Sequence, residues 1–347
     1  MTELTRDGIA TVDPEGMLDT VLAMPQQLGD ALWRAESANA PRVDAPGGLV
    51  VCGMGGSAIG GDLAAAAIGA RAERSIRTVR GYRLDPWIGE ETLVLCASYS
   101  GNTEETLACW EAATAAGAQR IALTTGGRLA ELARADGVPV MSPPGGFQPR
   151  AAVVYMLVGA LECAALCGAA PSLRDEIEGA AQLLASLVEE WGPDAAPDSE
   201  AKALATRLND TAPVVYGAGL TAPMARRWKT QINENAELPA FFAELPEADH
   251  NEVCGWDSTN GLAPMSAVFL ADRDLNGRER RRIELTADIA RRGATAVELV
   301  ETRGETALER LLSGVLLGDL ASVYIAVLRD LDPTPVVAIE DFKRALS

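Results

Sequence analysis

The fold is decided by the stretch Gly48–Ser57, GLVVCGMGGS, in which an apolar run leads into a glycine-rich turn. A short apolar run that ends at glycine predicts a buried strand, and the alanine-rich segment 58–69 after the turn predicts a helix. Strand, tight turn and helix in this order are typical of one step in a parallel sheet. The stretch therefore predicts an α/β protein.

The same pattern recurs further along the chain, in Pro213–Thr221, PVVYGAGLT. Two valines and two glycines align without a gap: Val50, Val51, Gly53 and Gly55 match Val214, Val215, Gly217 and Gly219. A repeat at a spacing of 164 residues (214 − 50) indicates two copies of one domain, since the repeats of a solenoid are much shorter.

Further apolar runs alternate with helical patterns in both halves of the chain. Four of these runs predict strands: Leu93–Ala97, Arg120–Thr124, Ala267–Leu270 and Ala296–Leu299. Because strands and helices alternate, the sheets should be parallel, with helices on both faces. The sequence therefore predicts two doubly wound parallel-sheet domains related by an internal repeat.

The chain of 347 residues is long enough for two hydrophobic cores. Apolar residues at helical spacing in Met17–Ala38, interrupted by Pro25, predict helices near the N-terminus, and the alanine-rich segment near Ala195–Ala201 predicts a linker. Three parts are expected: an N-terminal helical arm at 1–45, a first domain at 46–200 and a second domain at 205–347.

The formal net charge is −19, and an acidic surface of this kind repels the phosphate backbone of nucleic acids. The N-terminus, MTELTRDGIA, lacks the basic start and apolar run of a signal peptide. No run of about 18 uninterrupted apolar residues indicates a membrane span. We therefore expect a cytoplasmic protein that binds neither nucleic acid nor membrane.

The chain has six scattered cysteines and a single histidine, so a zinc site would have few ligands to draw on. Cys163 and Cys167 are one helical turn apart in an apolar segment and are interpreted as small core residues. The sequence predicts no metal and no cofactor.

Ligands in doubly wound sheets bind at the carboxyl ends of the strands, and two loops of the first half end strands there. In the first loop, Gly55 and Gly56 allow close backbone approach, while Ser57 adds a hydroxyl group at a helix N-terminus. The second loop, Ser98–Thr106, carries three hydroxyl groups, on Ser98, Ser100 and Thr103. Hydroxyl and amide donors suit a phosphate monoester.

Each loop alone has another interpretation. Gly53-x-Gly55-x-x-Ala58 also fits the dinucleotide fingerprint, but the acid expected at the end of the next strand is replaced by Arg80, which leaves only an NADP site open. Thr103 and Thr106 could do no more than cap a helix. Two loops rich in hydroxyl groups and glycine in one domain favour the phosphate monoester.

The two loops together closely resemble the SIS (sugar isomerase) domains of the bifunctional phosphoglucose/phosphomannose isomerase family. Further motifs extend the resemblance over almost the whole chain: Gln148–Ala152, Asn233–Ala236, Leu245–Glu252 with Gly255-Trp256, and Phe342-Lys343. The resemblance implies an aldose–ketose isomerase that interconverts glucose 6-phosphate and/or mannose 6-phosphate with fructose 6-phosphate by proton transfer through an enediol.

The same resemblance assigns the catalytic roles. Glu234 moves the proton between C2 and C1, Arg150 stabilises the enediolate, and Lys343 lies near the ring oxygen. His250 assists ring opening and is donated across the interface of a homodimer. Its neighbours are expected to orient its ring: Asp249, Asn251 and Glu252.

Two other functions stay open at this point. A non-catalytic SIS module that senses sugar phosphates would keep the two loops but would need neither Glu234 nor His250. An NADP-dependent oxidoreductase would use the first loop for its cofactor. Because the chain carries both loops and both residues, the sequence favours the isomerase.

Overall fold

The computed structural model describes residues 2–258 and 263–346. The helices are α1 (Arg6–Ala10), α2 (Met17–Leu22), α3 (Met24–Ser37), α4 (Gly55–Ile68), α5 (Glu104–Ala115), α6 (Gly127–Ala135), α7 (Val153–Leu166), α8 (Arg174–Trp191), α9 (Glu200–Leu208), α10 (Ala222–Asn235), α11 (Gly277–Ala290), α12 (Ala307–Leu328) and α13 (Val337–Leu346). The strands are β1 (Gly48–Cys52), β2 (Ile76–Val79), β3 (Thr92–Ala97), β4 (Gln119–Leu123), β5 (Val140–Met141), β6 (Ala212–Gly217), β7 (Phe241–Glu244), β8 (Met265–Ala271) and β9 (Ala296–Glu301).

The chain forms two compact units. The first-sheet unit comprises Ala23–Leu183 and Glu305–Glu309. The second-sheet unit comprises Met1–Leu22, Leu184–Gly304 and Arg310–Ser347. The unit boundary therefore falls within α8, before the segment Ala195–Ala201, and residues of the predicted N-terminal arm are divided between the two units.

The first-sheet unit contains a parallel sheet of five strands in the order β2-β1-β3-β4-β5. Every residue of β1 and β3 is buried, as expected for central strands that are covered on both faces. Leu49 pairs with Leu93 and Cys52 with Cys96, so the two strands end side by side. This register places the loops that follow them at the same edge of the sheet.

The second-sheet unit contains a parallel sheet of four strands in the order β7-β6-β8-β9. One face packs on a core that includes Tyr216, Trp256 and Phe269, and the rings of Tyr216 and Phe269 stack with centroids 4.7 Å apart. The four strands predicted from apolar runs are confirmed as β3, β4, β8 and β9. Both sheets confirm the predicted parallel α/β class.

One helix contains a proline near its start, and two helical segments are strongly apolar. Pro25, which interrupts the N-terminal helical pattern, lies in the first turn of α3, where proline is tolerated because its missing N–H has no partner within the helix.

Pro149–Leu166 and Ala307–Leu328 are long and apolar enough to cross a membrane, but 78% and 94% of their apolar windows are buried inside the protein. Burial of this extent is typical of core helices.

The cysteine pair on and after α7 lies in the core, as the sequence predicted. Cys163 and Cys167 are both buried, and burial is the main cause that raises the pKa of each thiol above its usual range. A thiol held protonated in this way is a poor nucleophile and a poor metal ligand. The pair therefore serves packing.

Candidate active site

The two predicted phosphate loops leave the first sheet at its topological switch point. In the order β2-β1-β3 the direction of strand addition reverses between β1 and β3. The first loop joins β1 to α4, and the second joins β3 to α5. Crevices at such points are where doubly wound sheets bind ligands.

The first loop is shaped by its glycines. Gly55 has a φ of +49° and begins α4 with open space around its Cα hydrogens. A Cβ on Gly56 would lie 2.8 Å from the carbonyl oxygen of Pro149 and 2.9 Å from Cα of Arg150. Glycine is therefore needed at position 56 for the loop to pack directly on the backbone that carries Arg150. Ser57 follows in the first helical turn and is buried.

The second loop is organised by hydrogen bonds among its own polar groups. The hydroxyl groups of Ser98 and Thr103 are 2.8 Å apart, and the N–H of Gly101 donates to Ser98 Oγ at 3.1 Å. Gly101 has a φ of +72°, and a Cβ there would lie 1.9 Å from the carbonyl oxygen of Gly126. Ser100 is exposed and accepts from the N–H of Asn102 at 3.3 Å.

The capping interpretation of the second loop is wrong for Thr103. Thr103 is the N-cap residue of α5, yet its side chain makes no capping hydrogen bond and bonds Ser98 instead. Thr106 lies inside the helix, where its hydroxyl group donates to the carbonyl oxygen of Ala97 at 3.5 Å. The four backbone N–H groups at the start of a helix have no partner within it, so this end of α5 keeps donors for an anion.

Arg150 lies in the same unit as both loops. It belongs to a 3₁₀ turn, Pro149–Ala152, that leads into α7, and only 3% of its surface is exposed. A buried guanidinium keeps its charge because its pKa lies far above neutrality. The structure thus brings together Arg150 and the six predicted phosphate-binding residues in the first-sheet unit: Gly55, Gly56, Ser57, Ser98, Ser100 and Thr103.

The second-sheet unit carries the other three predicted catalytic residues. Glu234 is half-buried at the C-terminal end of α10. That end is secured on both sides, because Asn233 Nδ2 donates to the carbonyl oxygen of Leu238 and Asn235 Nδ2 to Ser322 Oγ, each at 2.8 Å. Lys343 is exposed on α13, a helix whose described residues are all exposed.

His250 is exposed at the end of a 3₁₀ turn, Glu247–His250. The residues expected to orient its ring are engaged elsewhere. Asp249 accepts from Thr286 Oγ1 at 2.7 Å and from Arg282 Nη1 at 2.9 Å on α11. Asn251 donates to Glu247 at 3.0 Å, and Glu252 accepts from the hydroxyl group of Tyr216. These bonds hold the backbone on either side of His250, and the three side chains are engaged with groups other than its ring.

Two tyrosines in and near these segments were missed by sequence reasoning. Tyr99 lies between two predicted phosphate-binding serines, and its buried hydroxyl group bonds the segment before Arg150. Tyr216 anchors the segment after His250, because it donates to Glu252 and accepts from Trp256 Nε1 at 2.9 Å. Burial is the main cause that raises the pKa of each tyrosine, so both hydroxyl groups stay protonated. Tyr99 could have been noticed because it lies within the Ser98–Thr106 motif, whereas no feature of the sequence indicates the role of Tyr216.

The NADP interpretation depended on Arg80 at the end of β2. In the structure Arg80 Nη2 lies 2.5 Å from Asp62 Oδ2 on α4, and the two side chains are 28% and 23% exposed. An arginine that recognises a 2′-phosphate must offer its guanidinium to the ligand. Here an acid of the protein itself occupies that guanidinium, which disfavours the dinucleotide site.

The fold and the two loops define a protein of the SIS (sugar isomerase) class. Residues 197–346 match the family described as bacterial phospho-glucose isomerase C-terminal SIS domain. The solved structure of tagatose-6-phosphate ketose/aldose isomerase from Escherichia coli has the same fold, with a TM-score of 0.68, 15% sequence identity, and coverage of 92% of this chain and 95% of that chain.

Full-length relatives identify the family. The bifunctional phosphoglucose/phosphomannose isomerase of Caldicellulosiruptor bescii is 36% identical over 336 residues, which cover 95% of this chain and 99% of that protein. The chain belongs to the bifunctional phosphoglucose/phosphomannose isomerase family, as the motifs predicted. A relative with a different name, the D-glucosamine-6-phosphate 4-epimerase of Sulfolobus acidocaldarius, is 30% identical over 296 residues, 84% of this chain and 87% of that protein.

Proposed function

We propose that this chain is an aldose–ketose isomerase that interconverts glucose 6-phosphate and/or mannose 6-phosphate with fructose 6-phosphate. The observation that carries the proposal is the pair of loops with hydroxyl groups and glycines at the first switch point, of which the first packs against the backbone of the buried Arg150. The two aldoses differ only in configuration at C2 and give the same enediol. One base in one pocket therefore suffices for both.

The phosphate of the substrate is assigned to the first-sheet unit, because the corresponding point of the second sheet is occupied by the protein itself. After β8, the buried carboxylate of Asp272 accepts from Arg310 Nε at 2.7 Å and from Thr302 Oγ1 at 2.9 Å. The carboxylate and the guanidinium are thus engaged with each other, so this point does not offer the arginine to a substrate phosphate.

The chemistry is assigned to the remaining residues. Glu234 removes the proton from C2 of the open-chain sugar and returns it to C1, and the electron pair passes through an enediolate. Arg150 stabilises the negative charge on that enediolate, because a guanidinium is permanently positive and presents several N–H donors. His250 and Lys343 assist the opening of the ring.

Two further arrangements belong to this proposal. The chain is built from an N-terminal arm (1–45) and two copies of one SIS domain, a first domain (46–200) and a second domain (205–347). The shared strand order over the first four strands of each sheet supports this repeat. The chain acts in the cytoplasm as a homodimer, and His250 of one subunit serves the site of the other. Its exposed position is compatible with that role.

The activity is tested by following the formation of fructose 6-phosphate from each aldose separately, with and without a chelator. We expect turnover of about 1–10³ s⁻¹, the usual range for enzymes, which the chelator leaves unchanged. Glucosamine 6-phosphate is included, with the product analysed by NMR, because one relative is named for an epimerase of that sugar. Absence of fructose 6-phosphate from both aldoses contradicts the proposal.

The role of His250 is tested with a substrate that needs no ring opening. The variant His250→Ala should lose about 10²-fold or more in kcat on glucose 6-phosphate, the contribution typical of a positioned acid–base group. On 4,5-dideoxyglucose 6-phosphate, which lacks both hydroxyl groups that close the ring, the variant and the wild-type protein should turn over at similar rates. Equal losses on both substrates would argue against ring opening as its role.

A further inference from the structure

Tyr99 lies near the start of the second loop, between Ser98 and Ser100, but its side chain points into the protein, with 7% of the residue exposed. The backbone of Tyr99 makes hydrogen bonds to two other segments of the first-sheet unit. The N–H of Tyr99 donates to Ser57 Oγ in the first loop at 3.2 Å, and its carbonyl oxygen accepts from Thr125 Oγ1 at 2.8 Å. The backbone of Tyr99 is therefore tied to the first loop and to Thr125, which follows β4.

The hydroxyl group of Tyr99 makes two hydrogen bonds to one segment. It donates to the carbonyl oxygen of Pro144 at 2.8 Å and accepts from the N–H of Phe147 at 2.9 Å. The two bonds span Gly145-Gly146, and Gly146 has a φ of +97°. A glycine pair is intrinsically free to adopt many conformations, so these bonds select one of them.

The segment that Tyr99 holds leads directly to Arg150. Only two residues, Gln148 and Pro149, separate Phe147 from Arg150, and proline restricts the backbone between them. On the other side, the backbone at Pro149 and Arg150 packs against Gly56 of the first loop. The backbone of Arg150 is thus held between the first loop and the segment that the Tyr99 hydroxyl group secures.

We propose that the hydroxyl group of Tyr99 is a positioning group that fixes Arg150 relative to the phosphate-binding loops. The inference rests on the proposed function, in which the loops hold the phosphate and Arg150 acts at the enediolate. The distance between the phosphate of the substrate and its reacting carbons is fixed, so Arg150 must lie at a matching distance from the loops. An error of about 1 Å in the position of such a group can cost about 10²-fold in rate. Tyr99 sets this distance without touching the reacting carbons.

The test compares Tyr99→Phe with a matched control, Tyr155→Phe. The hydroxyl group of Tyr155 lies in the same unit and donates to Asp30 Oδ2 at 2.9 Å. Its ring packs on Phe147 with centroids 6.0 Å apart, and Tyr155→Phe keeps that ring contact while it removes only the hydroxyl group. We expect Tyr99→Phe to lower kcat by about 10- to 100-fold, within the cost of a misplaced group, and to leave KM within about threefold. Tyr155→Phe should keep wild-type kcat and KM.

Two inhibitors separate positioning from loss of structure. 5-Phosphoarabinonate carries a carboxylate where the enediolate forms, whereas sorbitol 6-phosphate carries the phosphate without that charge. Tyr99→Phe should weaken binding of 5-phosphoarabinonate in parallel with kcat and leave binding of sorbitol 6-phosphate unchanged. Equal weakening of both inhibitors, or unchanged kcat, overturns the inference.

A measurement on the wild-type protein keeps the inference testable if Tyr99→Phe does not fold. Hydrogen exchange should show the amide of Phe147 protected relative to the amides of Gly145 and Gly146, because it donates to the Tyr99 hydroxyl group. Exchange of Phe147 as fast as that of the two glycines contradicts the inference. An inactive wild-type protein refutes the proposed function, whereas an active one with unchanged Tyr99→Phe refutes only the role of Tyr99.

Discussion

Replacement of Glu234 by glutamine should lower kcat by about 10²- to 10⁴-fold, the usual contribution of a general base, with KM changed little. Glutamine keeps the size of the side chain and can still donate and accept hydrogen bonds, but its amide cannot take a proton from C2. The flanking amides of Asn233 and Asn235 hold the end of α10 in either case. Measurement of kcat and KM in the coupled assay checks the expectation.

Exchange of the C2 proton with solvent gives a second readout. In deuterated water, wild-type protein should incorporate deuterium at C2 of recovered glucose 6-phosphate, and Glu234→Gln should not. The matched control is Glu237→Gln, since Glu237 is exposed and lies just beyond the end of α10. Near-native turnover or continued exchange in Glu234→Gln would remove Glu234 from the role of base.

The largest expected effect on stability comes from the buried ion pair between α10 and α12. Arg227 Nε lies 2.9 Å from Asp319 Oδ1 and Nη2 lies 2.5 Å from Oδ2, and each side chain is 1% exposed. Asp319→Asn leaves the guanidinium without its counter-charge in the core. We therefore expect a loss of about 3–5 kcal/mol in the free energy of unfolding, measured by urea denaturation.

Two controls distinguish the buried charge from a general effect of substitution. Glu284→Gln removes the partner of Arg281 in an exposed pair on α11 and should cost less than about 1 kcal/mol. The double variant Arg227→Met with Asp319→Leu should recover much of the loss, because it buries no charge. If Asp319→Asn unfolds at the same urea concentration as Glu284→Gln, the pair does not carry this stability.

The central strands of both sheets and the edge strand β9 could be predicted, but the edge strands β5 and β7 could not. β1, β3 and β8 are continuous apolar runs because both of their faces are covered, and a run of that kind is visible in the sequence. β7 is half-exposed and β5 has only two residues, so neither has a distinct apolar pattern. β9 is also incompletely buried, but its apolar residues Val297, Leu299 and Val300 still indicate a strand.

The motifs of the site could be predicted, whereas the hydrogen bonds between distant segments were predicted less well. Gly55, Ser57 and Ser98 belong to short motifs whose meaning depends on neighbouring residues in the chain. The bonds of Tyr99 reach 45 and 48 residues away, and no local pattern indicates them. Similarly, Asp249 is next to His250 in sequence but bonds α11, 33 and 37 residues further on.

By itself, the sequence determined that this protein is an α/β protein with a glycine turn after β1 and a hydroxyl-rich loop after β3. Such features are local, because a strand, a tight turn and a helix start are each set within about ten residues. Only the tertiary structure decided which buried polar groups are partners, such as Arg227 with Asp319 and Tyr99 with Phe147. A buried donor must find an acceptor wherever the folded chain supplies one, and that position is a property of the packing.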